Sequence, residues 1–114
     1  NLSDHVQVHG YVEKPLEHLA NSDLLVVPSL IDSFPNVIFE AFSVGTPVIG
    51  SRVGGIIDQL EYDQLLFKPR NSQQIYDKLF KLLDQKVYLE CKQKCQDQKS
   101  KFIFDWAKKF EVIL

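Results

Sequence analysis

The sequence predicts an α/β domain with a parallel sheet and flanking helices. Three observations carry this. Two short apolar runs, Leu24–Val27 between Asp23 and Pro28 and the stretch Pro47–Gly50, have the length and continuity of strands covered on both faces. Segments of helical periodicity alternate with them, the order that places parallel strands beside crossover helices. The chain has 114 residues, of which 45% are hydrophobic and 25% charged, the profile of one ordinary globular domain.

The elements are read in chain order. Val6–His9 alternates in polarity and stops at Gly10, as a short strand would. Pro15–Asn21 is a short helix with Pro in its first turn. Leu24–Val27 is a buried strand. Phe34–Val44 is helical, with Pro35 in its first turn and Gly45 just past its end. Pro47–Gly50 is a second buried strand, Ser51–Gly55 a glycine-bearing loop, Ile56–Leu60 a helical turn and Leu65–Phe67 a last strand, giving four strands. Three helices follow. Ser72 is positioned to cap the first, whose Ile75, Leu79, Leu82 and Leu83 form one stripe. Val87–Ser100 is the second, with Tyr88, Cys91 and Cys95 as a thin apolar edge. The third carries Ile103, Trp106, Ala107, Phe110 and Leu114.

Composition excludes several classes of function. The longest apolar run is Leu24–Val27, whereas a bilayer span needs about 20 residues. No basic, apolar leader opens the chain. It starts at Asn1 and lacks methionine, which is expected of a processed chain or, in preference, of a piece of a longer one. The net charge of −2 gives no footprint for nucleic acid. Residues 1–63 hold nine acids against two bases, Lys14 and Arg52, while residues 64–114 hold eleven bases against six acids. An anion bound by the first half must therefore be gripped by backbone amides, by Arg52 or from outside the chain. Cys91 and Cys95 lie one helical turn apart, a poor geometry for a disulfide, and are expected as small buried residues. Reduced thiols fit a cytoplasmic location. His5, His9 and His18 have no carboxylate cluster beside them and are read as structural or surface residues, so no metal is expected.

The segment Pro28–Gly55, PSLIDSFPNVIFEAFSVGTPVIGSRVGG, carries the chemistry. On its helix, Val44, Val37, Ala41, Ile38, Phe42 and Phe39 cover an arc of roughly 220° at 100° per residue. Asn36, Ser43 and Glu40 occupy the remaining stripe. Glu40 is the only charged residue between Phe34 and Ile49. A carboxylate in such surroundings needs donors, and a sugar diol would supply two. The stripe facing bulk water is the equal alternative. The loop Ser29–Ser33 follows a strand and leads into the start of that helix. Ligands of open parallel sheets bind at that end, and helix N–H groups suit phosphate. Asp32 lies in this loop, either as a ligand of the same site or as a helix cap.

These residues carry a resemblance. The segment resembles the signature of GT-B-fold, retaining glycosyltransferases of group 1, or family 4: Pro-Ser, Glu-Gly-Phe-Pro or close to it, a second Glu eight residues on, a Gly-x-Pro-Val strand and a Gly-Gly loop. Val6–Gly10, Leu19–Pro28 and Phe102–Phe110 are similar to further parts of the family pattern, so the resemblance covers essentially the whole chain. It implies a Rossmann-like sheet belonging to the C-terminal, donor-binding domain. Residues 1–114 would be part of that domain, with the acceptor domain absent.

The resemblance also implies roles. Asp32, with Ser33 and Phe34, would meet the donor sugar. Phe34, Pro35, Asn36 and Val37 would open the helix whose backbone N–H groups face the diphosphate, with Pro35, Asn36 and Val37 as the diphosphate-binding residues. Glu40 would hold the ribose diol. Gly54 and Gly55, with Arg52 beside them, would line a loop near the cleft. No side chain is assigned as catalytic. The substrate would be a UDP-, GDP- or ADP-sugar with no further cofactor, and the acceptor a glycan or a lipid-linked acceptor. Two departures stand out: Asp32 replaces Glu and Ser33 replaces Gly. Asp is a methylene shorter, and about 1 Å of misplacement can cost roughly 10²-fold in rate. An altered or reduced sugar preference is expected.

In the family a basic pair clamps the diphosphate from a segment ahead of Asn1, and two further strands separate the counterparts of Val6–His9 and Leu24–Val27. The piece is therefore expected to leave a gap in its sheet, to be inactive alone and to self-associate. The alternative function is a non-catalytic nucleotide-binding or assembly module. A receiver-like domain fits the alternation of elements but lacks the acidic cluster it would need. The stretch Lys92–Lys109, with six Lys against two Asp, is expected as a solvated face or as a peripheral contact with the inner membrane.

Overall fold

Three short parallel strands form the sheet, and the helices Asn36–Ser43, Gly54–Leu60 and Gln85–Ile113 pack against its central strand. The computed structural model describes residues 2–113, with side chains described as far as Phe102. In chain order the elements are α1 (Pro15–Ala20), β1 (Leu25–Val27), α2 (Asn36–Ser43), β2 (Val48–Ser51), α3 (Gly54–Leu60), β3 (Leu66–Phe67), α4 (Ser72–Lys81) and α5 (Gln85–Ile113). Single 3-10 turns occupy Ser3–His5 and Asp63–Leu65. The strand order is β1-β2-β3, with Val27 opposite Gly50 and Ser51 opposite Phe67.

The central strand β2 is buried at all four positions. Val48 and Ile49 are β-branched and suit a pleated, enclosed strand. Gly50 follows because α3 presses on it: a Cβ there would lie 2.8 Å from Ile56 and 3.1 Å from Leu60. Helix α2 buries Ile38, Ala41 and Phe42, which fall at helical spacing on one face. Just past its end stands Gly45, whose φ of +79° is the left-handed geometry that glycine adopts freely. The buried Thr46 donates from Oγ1 to the Leu19 carbonyl at 2.5 Å, tying the end of α1 to the start of β2. Helix α5 lays Cys91, Cys95 and Gln98 against this core. The Val48 N–H donates to Cys95 Sγ at 3.3 Å, and the Tyr88 hydroxyl donates to the Asp23 carbonyl at 2.6 Å.

The α/β class, the parallel sheet and the buried, unbridged cysteines agree with the expectations. Several details do not. Val6–His9 forms no strand, so the described residues hold three strands rather than four. An isolated extended segment gains no ladder, and no strand lies beside it; Val8 is left 94% exposed. Strand β1 sits at the edge of the sheet and buries only Val27, not both faces along its length. Helix α2 starts at Asn36, since Pro35 is extended at φ −67°, ψ 128°. Gly54 and Gly55 open a helix instead of lying in a loop. Asn71, not Ser72, caps α4, accepting from the Gln74 N–H at 3.0 Å. The two last helices are one, because the chain after Pro69 contains no Gly or Pro to interrupt it. The stripe Ile103, Trp106, Ala107, Phe110 and Leu114 lies outside the residues whose side chains are described.

Two lysines of the basic stretch are engaged by the fold. Lys101 pairs with Glu61 at 2.6 Å, and Lys94 sits 5.7 Å over the Tyr62 ring. Among the described residues no helix is long and apolar enough to cross a membrane.

Candidate functional site

The loop from Pro28 to Pro35 leaves the carboxyl end of β1 and enters α2, the place where an open parallel sheet offers a ligand site. Three contacts hold it. Buried Ser51, at the end of β2, donates from Oγ to the Ser29 carbonyl at 2.6 Å. The Gly55 N–H, in the first turn of α3, donates to the Asp32 carbonyl at 3.3 Å. Gln59, one turn further along α3, donates from Nε2 to the Pro35 carbonyl at 2.9 Å.

Both glycines are required by this approach. A Cβ on Gly54 would lie 1.9 Å from the Asp32 carbonyl oxygen, and one on Gly55 would lie 1.7 Å from that of Ser33. Gly54 also has φ +44°. The structure thus brings Asp32, Ser33 and Phe34 against Gly54 and Gly55. Phe34 itself belongs to an aromatic cluster, 5.2 Å from Phe39 and 6.3 Å from Phe102 between ring centres.

Asp32 does not cap α2. No side chain caps that helix, and the Asp32 carboxylate accepts from Ser29 Oγ at 3.3 Å. The first N–H groups of α2, at Asn36 and Val37, have no carbonyl one turn back within the helix. Asn36 is exposed and Val37 half-buried, so this end of the helix is reachable from solvent. It presents donors and the positive end of the helix dipole. Glu40 is half-buried on the same helix, and no described cation pairs with it.

Arg52 follows β2 and is engaged by a neighbouring acid. Its guanidinium meets Asp63 at 2.9 Å, with both side chains exposed. Such a pair contributes about 0–1 kcal/mol and is easily exchanged. The rings of His9 and His18 lie 5.0 Å apart, and the described residues contain no group of three or more potential metal ligands.

The sequence reading missed Ser29, Ser51 and Gln59, the three side chains that shape the loop. Gln59 carried a weak signal. It falls on the face of Ile56 and Leu60, where a polar residue is out of place. It is fully buried, and its Oε1 has no partner among the described residues. A buried acceptor left unpaired costs about 1–3 kcal/mol.

Comparison with known proteins gives the family and the fold. A family model described as "Glycosyl transferases group 1" matches residues 1–85. N-acetyl-alpha-D-glucosaminyl L-malate synthase of Bacillus anthracis is 39% identical over 62 residues, which are 54% of this chain and 16% of that protein. Sucrose-phosphate synthase from Thermosynechococcus elongatus superposes with a TM-score of 0.77 at 22% identity, over 100% of this chain and 32% of that one. HepE from Anabaena, solved in complex with UDP, superposes with a TM-score of 0.64 at 22% identity, over 74% of this chain and 23% of that one. The fold is that of the C-terminal domain of GT-B glycosyltransferases.

Proposed function

The chain belongs to the group 1 glycosyl transferases, and from that premise we propose that it binds the nucleotide-diphospho-sugar donor of a retaining, family 4 sugar transfer. The observation that carries the reading is the uncapped start of α2 at the carboxyl end of the sheet, beside a loop clamped by Ser51, Gly55 and Gln59.

The proposed chemistry follows from what each group offers. Helix N–H groups at Asn36 and Val37 face the diphosphate and stabilise the charge it gains as it departs. Fixed donors of this kind need no reorganisation during reaction. Asp32 accepts from hydroxyls of the sugar, with Ser33 and Phe34 shaping that end of the site. Glu40, half-buried and without a described cation, accepts from the two hydroxyls of the ribose. Such a diol satisfies a carboxylate that is otherwise poorly solvated. The donor's leaving group is a nucleoside diphosphate, and UDP, bound in the structurally similar HepE, is one member of that class. The glycan or lipid-linked acceptor is placed by parts of a longer protein, since this chain spans 16% of its relative and 32% of the synthase structure.

Calorimetric titration with UDP, GDP and ADP tests the reading. One of the three is expected to bind, and Glu40→Ala is expected to abolish or sharply weaken that binding. If all three leave the chain unliganded, or if Glu40→Ala binds as the unaltered chain does, the assignment is wrong.

A further inference from the structure

We propose that Gln59 is a positioning residue that holds the start of α2 in register for the diphosphate, an inference that rests on the donor-binding reading above. Gln59 touches no part of the donor in this proposal. It acts through Pro35.

The geometry is specific. Gln59 Nε2 donates to the Pro35 carbonyl at 2.9 Å, and Pro35 is the residue immediately before the first helical turn. That carbonyl also receives the Ile38 N–H at 3.4 Å, so the side chain of α3 and the first turn of α2 meet on one oxygen. Four residues earlier in α3, the Gly55 N–H grips the Asp32 carbonyl at 3.3 Å. Helix α3 therefore holds the second half of the loop at Asp32 and at Pro35, with Ser33 and Phe34 between the two grips. Anchoring the Pro35 carbonyl fixes the plane of the peptide that ends at Asn36 N–H. That N–H is one of the donors assigned to the diphosphate.

Stability alone does not account for an amide here. Gln59 is fully buried, and its Oε1 has no partner among the described residues. Leu or Met would fill similar space beside Ile56 and Leu60 without stranding an acceptor. A locally unfavourable residue in contact with a site is the pattern of a group kept for function. The expected signature is a split: replacing the amide leaves stability equal or higher while recognition of the diphosphate weakens.

The test compares nucleoside di- and monophosphates of uridine, guanosine and adenosine, titrated into the chain and into Gln59→Leu, Gln59→Met and Glu40→Ala. Thermal melting accompanies each variant. The Gln59 variants are expected to lower the ratio of diphosphate to monophosphate affinity about three- to tenfold, the scale of one hydrogen bond, with Tm equal or raised. Glu40→Ala is expected to weaken both nucleotides together and leave the ratio alone. An unchanged ratio in the Gln59 variants, with the unaltered chain still binding, overturns this proposal and spares the donor-binding reading. Failure of the unaltered chain to bind any nucleotide overturns both. Gln59→Met keeps an unbranched side chain in case Gln59→Leu does not fold. If neither folds, Gln59 belongs to the scaffold and the proposal fails.

Discussion

A Cβ on Gly55 would stand 1.7 Å from the carbonyl oxygen of Ser33, so helix α3 and the loop before α2 meet backbone to backbone. Alanine at this position must push the loop away, and the loop is tied to Ser51 and Gln59 on either side. Gly55→Ala is expected to cost about 3 kcal/mol, the upper end of ordinary overpacking. Gly10→Ala is the comparison. Its φ is +62° but nothing lies within 4 Å of the added carbon, so only the backbone term of about 1 kcal/mol applies. Urea midpoints of the two variants check the difference. Equal midpoints would mean that the loop yields freely.

Ser51 closes the same loop from the sheet side. Its Oγ reaches the Ser29 carbonyl at 2.6 Å and lies 3.3 Å from that of Val27. Ser51→Ala removes the donor and leaves a part-buried carbonyl unpaired, at a cost of about 1–2 kcal/mol. Because Ser29 in turn donates to Asp32, the variant is also expected to weaken sugar-dependent binding more than binding of the bare nucleotide. Melting curves check the first effect, and titration with the nucleotide-sugar against the nucleotide checks the second.

Much of this frame was legible in the residues. Apolar continuity placed β1 and β2, and helical spacing of Ile38, Ala41 and Phe42 placed the buried face of α2. Cys91 and Cys95 fell on one face of a helix and are buried there. The errors have a common cause. A strand needs a neighbour, and the alternation in Val6–His9 says nothing about whether one is present. Helix starts depend on backbone angles set by tertiary contact. Pro35 is extended because Gln59 and the first turn of α2 share its carbonyl, and the glycines open a helix because the loop packs against them. Ile56–Leu60 reads only as a helical turn in the sequence, and one turn is too short for periodicity to show that Gln59 lies on its buried face.

Acid is expected to weaken the contact between α3 and α5. Lys101 donates to the Glu61 carboxylate at 2.6 Å and Gln98 at 3.3 Å, and these hydrogen bonds hold the Glu61 carboxyl below its ordinary value of 4.5. A group with a lowered folded pKa contributes stability above its unfolded value and loses it as pH falls through the folded one. Glu61→Gln is therefore expected to lower Tm at neutral pH and to match the unaltered chain once the pH lies well below 4.5. Tm measured against pH for both proteins decides it. A constant difference across the range would show that Glu61 contributes through shape alone.

Cys91 and Cys95 are expected to resist thiol reagents in the folded chain. Both lie on the buried face of α5, and the Val48 N–H donates to Cys95 Sγ at 3.3 Å. Hydrogen bonding to Cys95, followed by burial, pushes the Cys91 thiol up, away from the thiolate that reacts. Their spacing of one helical turn is poorly suited to a disulfide. Reaction with a chromogenic disulfide reagent should then follow global unfolding. The rate should saturate at high reagent concentration at the unfolding rate and rise steeply with urea. Lifting of α5 from β2 alone would instead give a rate nearly independent of urea. Because Cys95 touches Val48, that second outcome would also mean that the central strand loses its cover without the domain unfolding.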